Sequence, residues 1–264
     1  MEQLNKRALL AVSFGSSVER ARKEIDEVER AWISQTPERD FYRVYTSPTI
    51  RRILAQQGQK ILNLPEALEY LANNGYMDVV VPITHFLYGF EYEKLREETL
   101  SFQNRFCRLR LGRPLIADSE SLQKMVRCIL HTYPVQDGLV LLGHGTEHFA
   151  NMVYPALQTA FRLAGAQHVY VGTIEGWPSC QDVLDQLRED GCHQVLLAPL
   201  MLVAGDHALN DMAGEQPDSW KCRLEAAGLK VQCCINGLGA IPEVRKMYQE
   251  RLREILRPEE QNVL

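Results

Sequence analysis

No stretch of the 264 residues approaches the roughly 20 consecutive apolar positions that a membrane-spanning helix requires. The start of the chain, residues 1–7, is polar and is not followed by an apolar block with a small-residue cleavage site, so a secretory leader is not expected. The seven cysteines are odd in number and contain no C-x-x-C pair, which argues against both a disulfide framework and a zinc knuckle. They read as small, buried thiols. An excess of positive charge is also lacking: the net charge is -5, whereas a general nucleic-acid binder concentrates Lys and Arg to displace counterions from phosphate. The expectation is a cytoplasmic protein that engages neither membrane nor nucleic acid.

What the chain does contain is an ordinary globular balance, 45% hydrophobic and 24% charged, enough to bury one large core or two smaller ones. Apolar runs bounded by turn residues alternate with amphipathic stretches, the pattern of β-α units around a parallel sheet. The fold class is α/β. Strands are expected at residues 8–14, 41–45, 78–83 and 107–111, with helices at 17–34, 48–57, 65–73 and 91–102. The plan then repeats, with strands at 138–142, 168–173, 194–199 and 229–235 and helices at 147–163, 178–189, 220–227 and 242–256.

Each half thus supplies four strands, and two similar lobes are expected, 1–133 and 134–264, joined near Pro134 with a cleft between them. Two local correspondences support the duplication. The first strand of each half runs into Phe14-Gly15 or His144-Gly145, and the third runs through Pro82 to Gly89-Phe90-Glu91 or through Pro199 to Gly205-Asp206-His207. Ligands of parallel α/β sheets gather beyond the carboxyl ends of the strands.

The segment Leu141-Leu142-Gly143-His144-Gly145-Thr146-Glu147-His148 delivers an imidazole between two glycines at such a strand end, where a bulky ligand can approach the backbone. Glu175 follows the next strand and His207 the one after. Two imidazoles and a carboxylate at neighbouring loops suit a divalent first-row metal, although the spacing has none of the specificity of H-E-x-x-H. His148 is expected in the first turn of the following helix. His131, His168 and His193 border the opposite sheet end and read as structural. His85, just past the third strand of the first half, and Glu91 face the ligand edge, Glu91 also being the acid that a helix start favours.

The combination of Ser13-Phe14-Gly15-Ser16-Ser17, Thr84-His85-Phe86-Leu87-Tyr88-Gly89-Phe90-Glu91-Tyr92, Gly143-His144-Gly145-Thr146-Glu147-His148 and residues 200–210 closely resembles the anaerobic cobalt chelatases of cobalamin biosynthesis, nearly end to end. The resemblance implies two flavodoxin-like, chelatase-like lobes around a tetrapyrrole cleft. It also implies ATP-independent insertion of Co2+ into sirohydrochlorin or its precorrin-2 relative, with the metal as substrate and no organic cofactor. By position, His144, Glu175 and His207 correspond to the metal-binding and catalytic group, with His144 the proton acceptor, and His85 and Glu91 to tetrapyrrole-cleft positions.

An iron or nickel chelatase on the same scaffold, or a carrier that binds tetrapyrrole or metal without inserting it, are the alternatives, and a homo-oligomer is left open. A flavodoxin-like electron carrier is disfavoured, because the loop after the first strand lacks a run of phosphate-cradling hydroxyls and glycines. Ser13, Ser16, Ser17, Thr46, Arg51, Arg52 and Lys60 are the candidate partners for the carboxylates of such a substrate, although surface charges of this kind more often stay solvated.

Overall fold

The computed structural model describes residues 6–134 and 137–257. The chain forms two four-stranded sheets, both entirely parallel. In the first, β1 (Lys6–Ser13), β2 (Asp40–Tyr45), β3 (Tyr76–Val81) and β4 (Arg108–Leu111) are ordered β2-β1-β3-β4. In the second, β5 (Gly138–Gly143), β6 (Val169–Thr173), β7 (Gln194–Pro199) and β8 (Lys230–Cys233) repeat that order as β6-β5-β7-β8. The expected fold class and all eight expected strands are present, with ends displaced by no more than two residues.

The strands are legible because helices cover both faces of each sheet. A central parallel strand has no polar side, so its sequence is a continuous apolar run. Leu139 through Leu142 are each 0% exposed, and β1 is buried from Ala8 to Ser13. Burial of one such leucine contributes about 1.5–3 kcal/mol.

The helices are α1 (Glu19–Gln35), α2 (Pro48–Gln56), α3 (Leu64–Asn73), α4 (Phe90–Ser101), α5 (Ser119–Thr132), α6 (Val153–Leu163), α7 (Cys180–Glu189), α8 (Trp220–Ala226) and α9 (Pro242–Leu256). α5 has no counterpart among the expected helices, yet it carries its own start signal. The Asp118 side chain accepts from the Ser121 amide, the Ser121 hydroxyl accepts from the Asp118 amide, and Met125, Val126 and Ile129 form its buried stripe. The helix expected over residues 147–163 begins as α6 only at Val153, after a 3-10 turn at Phe149–Met152. Pro155 explains the delay: it has no N–H for the Asn151 carbonyl and its ring clashes there, so it is tolerated only in a first turn.

The compact units are discontinuous. Among the described residues, 6–17, 25–115 and 245–257 form one, and 18–24, 116–134 and 137–244 form the other. A division at 133/134 differs from this in assigning α9 to the second half and α5 to the first, and Val135 and Gln136 beside that point lie outside the described residues. α9 belongs with the first sheet for definite reasons. Trp32 Nε1 donates to the Tyr248 carbonyl at 2.9 Å, with the two rings edge to face. Tyr248 Oη donates to the Thr84 carbonyl at 2.9 Å. Arg108 donates to the carbonyls of Ile255 and Leu256 at the helix C-terminus, where a cation meets both unpaired acceptors and the negative end of the dipole. Among the described residues no helix is long and apolar enough to cross a membrane.

Candidate functional site

In the second unit, β5 ends at Gly143 because nothing larger fits. A Cβ there would lie 2.1 Å from Cε1 of the buried Tyr154. Gly145 has φ +84°, and its Cβ would lie 2.8 Å from the carbonyl carbon of Glu175. The two glycines therefore let a tyrosine ring and the loop after β6 close around His144.

Main-chain bonds extend the sheet into that loop: Ile174 N donates to Gly143 O at 3.0 Å and Glu175 N to His144 O at 2.8 Å. Glu175 is thus set beside His144 by backbone register. Asn151 adds a strap, accepting from Thr146 N at 3.0 Å and donating to the Trp177 carbonyl at 2.6 Å, so that it joins the loop after β5 to the loop after β6.

His207 arrives from β7. Leu200 N continues the ladder by donating to Leu142 O at 2.7 Å. The buried Glu24 then accepts from Ala204 N and Gly237 N, both at 2.7 Å, and anchors the chain three residues before the histidine. Burial raises the Glu24 pKa, opposed by those two amides and by Arg20. His207 opens a π-helical turn, Ala208–Met212, in which Ala208 and Met212 are buried while the His207 and Asp211 side chains stay half exposed.

The imidazoles of His144 and His207 meet edge to face, with centroids 4.6 Å apart. His144 Nδ1 lies 3.0 Å from the Gly145 carbonyl oxygen and 3.9 Å from Glu175 Oε2. A carbonyl only accepts, so in the neutral ring this nitrogen carries the proton and Nε2 keeps its lone pair. His207 Nδ1 lies 2.6 Å from Asp211 Oδ2. The arrangement is a histidine pair with the Gly145 carbonyl behind one ring and the Asp211 carboxylate behind the other. Among the described residues no three His, Cys, Asp or Glu side chains are close enough, as placed, to enclose a metal ion. Metal capture through His144, Glu175 and His207 would require rotation of these exposed side chains.

His85 and Glu91 belong to the first unit. Both ring nitrogens of His85 are sealed from solvent and have no hydrogen-bond partner, although the residue as a whole is partly exposed. Desolvation of the nitrogens holds its pKa down at about 4. The Ser13 hydroxyl, the Thr46 hydroxyl and Arg51 Nε are likewise buried and unpartnered. Ser13 and Thr46 lie side by side at the carboxyl ends of β1 and β2, where Thr46 N donates to Ser13 O at 2.9 Å. Glu91 is exposed in the first turn of α4, and burial raises the Glu98 pKa, opposed by Lys94 and Arg51 and helped by the charge of Glu91.

The other histidines have local duties. His148 is not in a helical first turn but caps the 3-10 turn, with Nδ1 accepting from Ala150 N at 3.0 Å. His168 Nδ1 contacts the Cys192 thiol at 3.5 Å, the His193 amide donates to Asp137, and His131 sits in the last turn of α5. Sequence reasoning missed Glu24, Asn151 and Asp211. Asp211 carries a signal, four residues after His207, but Glu24 and Asn151 act through partners that no local pattern names.

Four similarities bear on these features. Residues 7–257 match the family model described as cobalt chelatase (CbiK). The sirohydrochlorin cobaltochelatase of Salmonella typhimurium strain LT2 is 38% identical over 259 residues, covering 95% of this chain and 97% of the relative. The sirohydrochlorin cobaltochelatase CbiKC of Nitratidesulfovibrio vulgaris strain Hildenborough is 33% identical, covering 86% and 82%. In fold, the chain is similar to the sirohydrochlorin chelatase SirB of Bacillus subtilis subspecies spizizenii, solved in complex with cobalt. That likeness has a TM-score of 0.65 at 15% identity and covers 95% of each chain. Taken with the paired parallel sheets and the histidine pair, these matches establish that the chain belongs to the cobalt chelatase (CbiK) family.

Proposed function

We propose that this protein inserts Co2+ into sirohydrochlorin in the anaerobic route to cobalamin, using neither ATP nor an organic cofactor. The observation that carries the reading is the pairing of His144 and His207, 4.6 Å apart on loops of a chelatase fold, in a chain 38% identical to a sirohydrochlorin cobaltochelatase.

Insertion demands that the macrocycle give up its inner pyrrole protons while the metal exchanges water for ring nitrogens. Imidazole, with an ordinary pKa of about 6.5, suits both tasks at neutral pH. The bond from His144 Nδ1 to Gly145 O leaves Nε2 free as the proton acceptor. His207 supplies a second nitrogen donor. Glu175 supplies an anionic oxygen that offsets the dication without the tight hold of a thiolate, so the metal can be released to the ring.

One surface feature favours a large amphipathic substrate. Phe149, Met152, Trp177 and Leu209 are 85%, 50%, 52% and 40% exposed on the loops after β5, β6 and β7, an apolar rim that a macrocycle face would cover.

The test is turnover in buffer containing only protein, Co2+ and sirohydrochlorin, followed by the absorbance change as the metal enters the ring. Multiple turnovers without nucleotide support the reading. Stoichiometric binding without insertion would make the protein a carrier.

A further inference from the structure

His207 and His144 are held by different kinds of acceptor. Behind His144 stands a main-chain carbonyl, whereas behind His207 stands the Asp211 carboxylate, 2.6 Å from Nδ1. This second contact is made across the π-helical turn. Its wide closure, Ala213 N to Ala208 O at 3.2 Å, buries Ala208 and Met212 and leaves His207 and Asp211 together on the outer side. The turn is tight where it ends: a Cβ on Gly214 would lie 2.2 Å from Asn210 O. Asp206 does not compete for the imidazole, since its carboxylate accepts from Asn210 Nδ2 at 2.9 Å. π-turns of this kind are rare and concentrate at functional sites.

We infer that Asp211 is a positioning residue for metal capture: it accepts the Nδ1 proton of His207, fixes the tautomer with the lone pair on Nε2, and holds that nitrogen toward His144. A carboxylate behind a ligating imidazole also strengthens the imidazole as a donor, and its loss typically weakens metal binding by about 10–100-fold. Because the His144 support is main chain, Asp211 is the support that a side-chain substitution can remove. The inference rests on His207 being a donor to the metal.

The test uses the full chain without tetrapyrrole, titrated with Co2+ and followed by the visible d–d bands. Asp211→Ala is expected to weaken Co2+ binding by about tenfold or more with circular dichroism and melting unchanged. Asp211→Asn is expected to recover part of the loss, because the amide oxygen still accepts from Nδ1. Wild-type Co2+ affinity in Asp211→Ala overturns the inference. Asn as damaging as Ala overturns it too, by making Asp211 a direct ligand.

A measurement on metal-free wild type needs no Asp211 variant. Long-range proton–nitrogen correlations, assigned to His207 by their loss in His207→Ala, should show the proton on Nδ1, and a proton on Nε2 overturns the inference. Should His207→Ala bind Co2+ normally, the metal-site reading itself fails. Should it lose Co2+ while Asp211→Ala keeps it, only the positioning role fails.

Discussion

His144 and His207, 63 residues apart in sequence, stand with ring planes at 90° and centroids 4.6 Å apart. Both rings are partly open to solvent and neither belongs to the packed clusters beneath the sheet. His144→Ala and His207→Ala are therefore expected to abolish cobalt insertion while shifting the unfolding midpoint little, within the roughly 0.5 kcal/mol typical of surface substitutions. His168→Ala or His193→Ala, at the other sheet end, should leave turnover near wild type. The rate of absorbance change with Co2+ and sirohydrochlorin checks both statements, and normal turnover in either of the first pair would remove the site.

Asn151 joins two loops through two hydrogen bonds. Asn151→Ala is expected to cost only about 1–2 kcal/mol in urea unfolding, the scale of the bonds removed, but to lower kcat more steeply than that loss alone would imply. Asn151→Asp keeps the acceptor for Thr146 and loses the donor to Trp177, so its activity should fall between. Equal activity in all three proteins would show that the strap does not set the geometry.

His85 predicts a pH dependence of stability. Its pKa is about 4 in the folded chain, below the ordinary value of about 6.5 that the unfolded chain recovers. The unfolded state therefore binds the proton first. Stability is full above about pH 6.5 and declines as pH falls toward 4, by a few kcal/mol at most from this group. Urea midpoints between pH 7.5 and 4.5 would show the decline, and His85→Phe should flatten that part of it. An unchanged slope in His85→Phe would mean that the imidazole is not held neutral by burial.

The cysteines are expected to be dispensable for chemistry. Cys180 is buried, with its thiol pushed up to about 11 by desolvation, and Cys192 is buried and raised for the same reason. Neither is a ready thiolate at neutral pH. Native alkylation should modify the exposed Cys107 first and spare turnover, as peptide mapping and the insertion assay would show. Loss of activity with the fold intact would reveal a missed thiol ligand.

Much of the molecule is legible in the chain alone. Runs such as residues 138–143 and 194–199 announce central parallel strands, because a strand covered on both faces has no polar side to interrupt it. Parallel strands send their carboxyl ends to one edge, so the order of strands along the chain is enough to assign His144, Glu175 and His207 to a single edge. The glycines around His144 are equally visible, since a strand end that must admit Tyr154 and the Glu175 loop tolerates no Cβ.

Tertiary structure alone decided how those side chains are held. Trp32, Thr84 and Arg108 bind α9 to the first sheet through contacts spanning well over a hundred residues, which no local period encodes. Glu24 reaches the Ala204 and Gly237 amides across the chain, a pairing that packing alone creates. Hydrophobic period is a local property, dictated by which face of each element is buried. The partner of a buried carboxylate such as Glu24 is not local, because it depends on which distant amide packing brings within 3 Å.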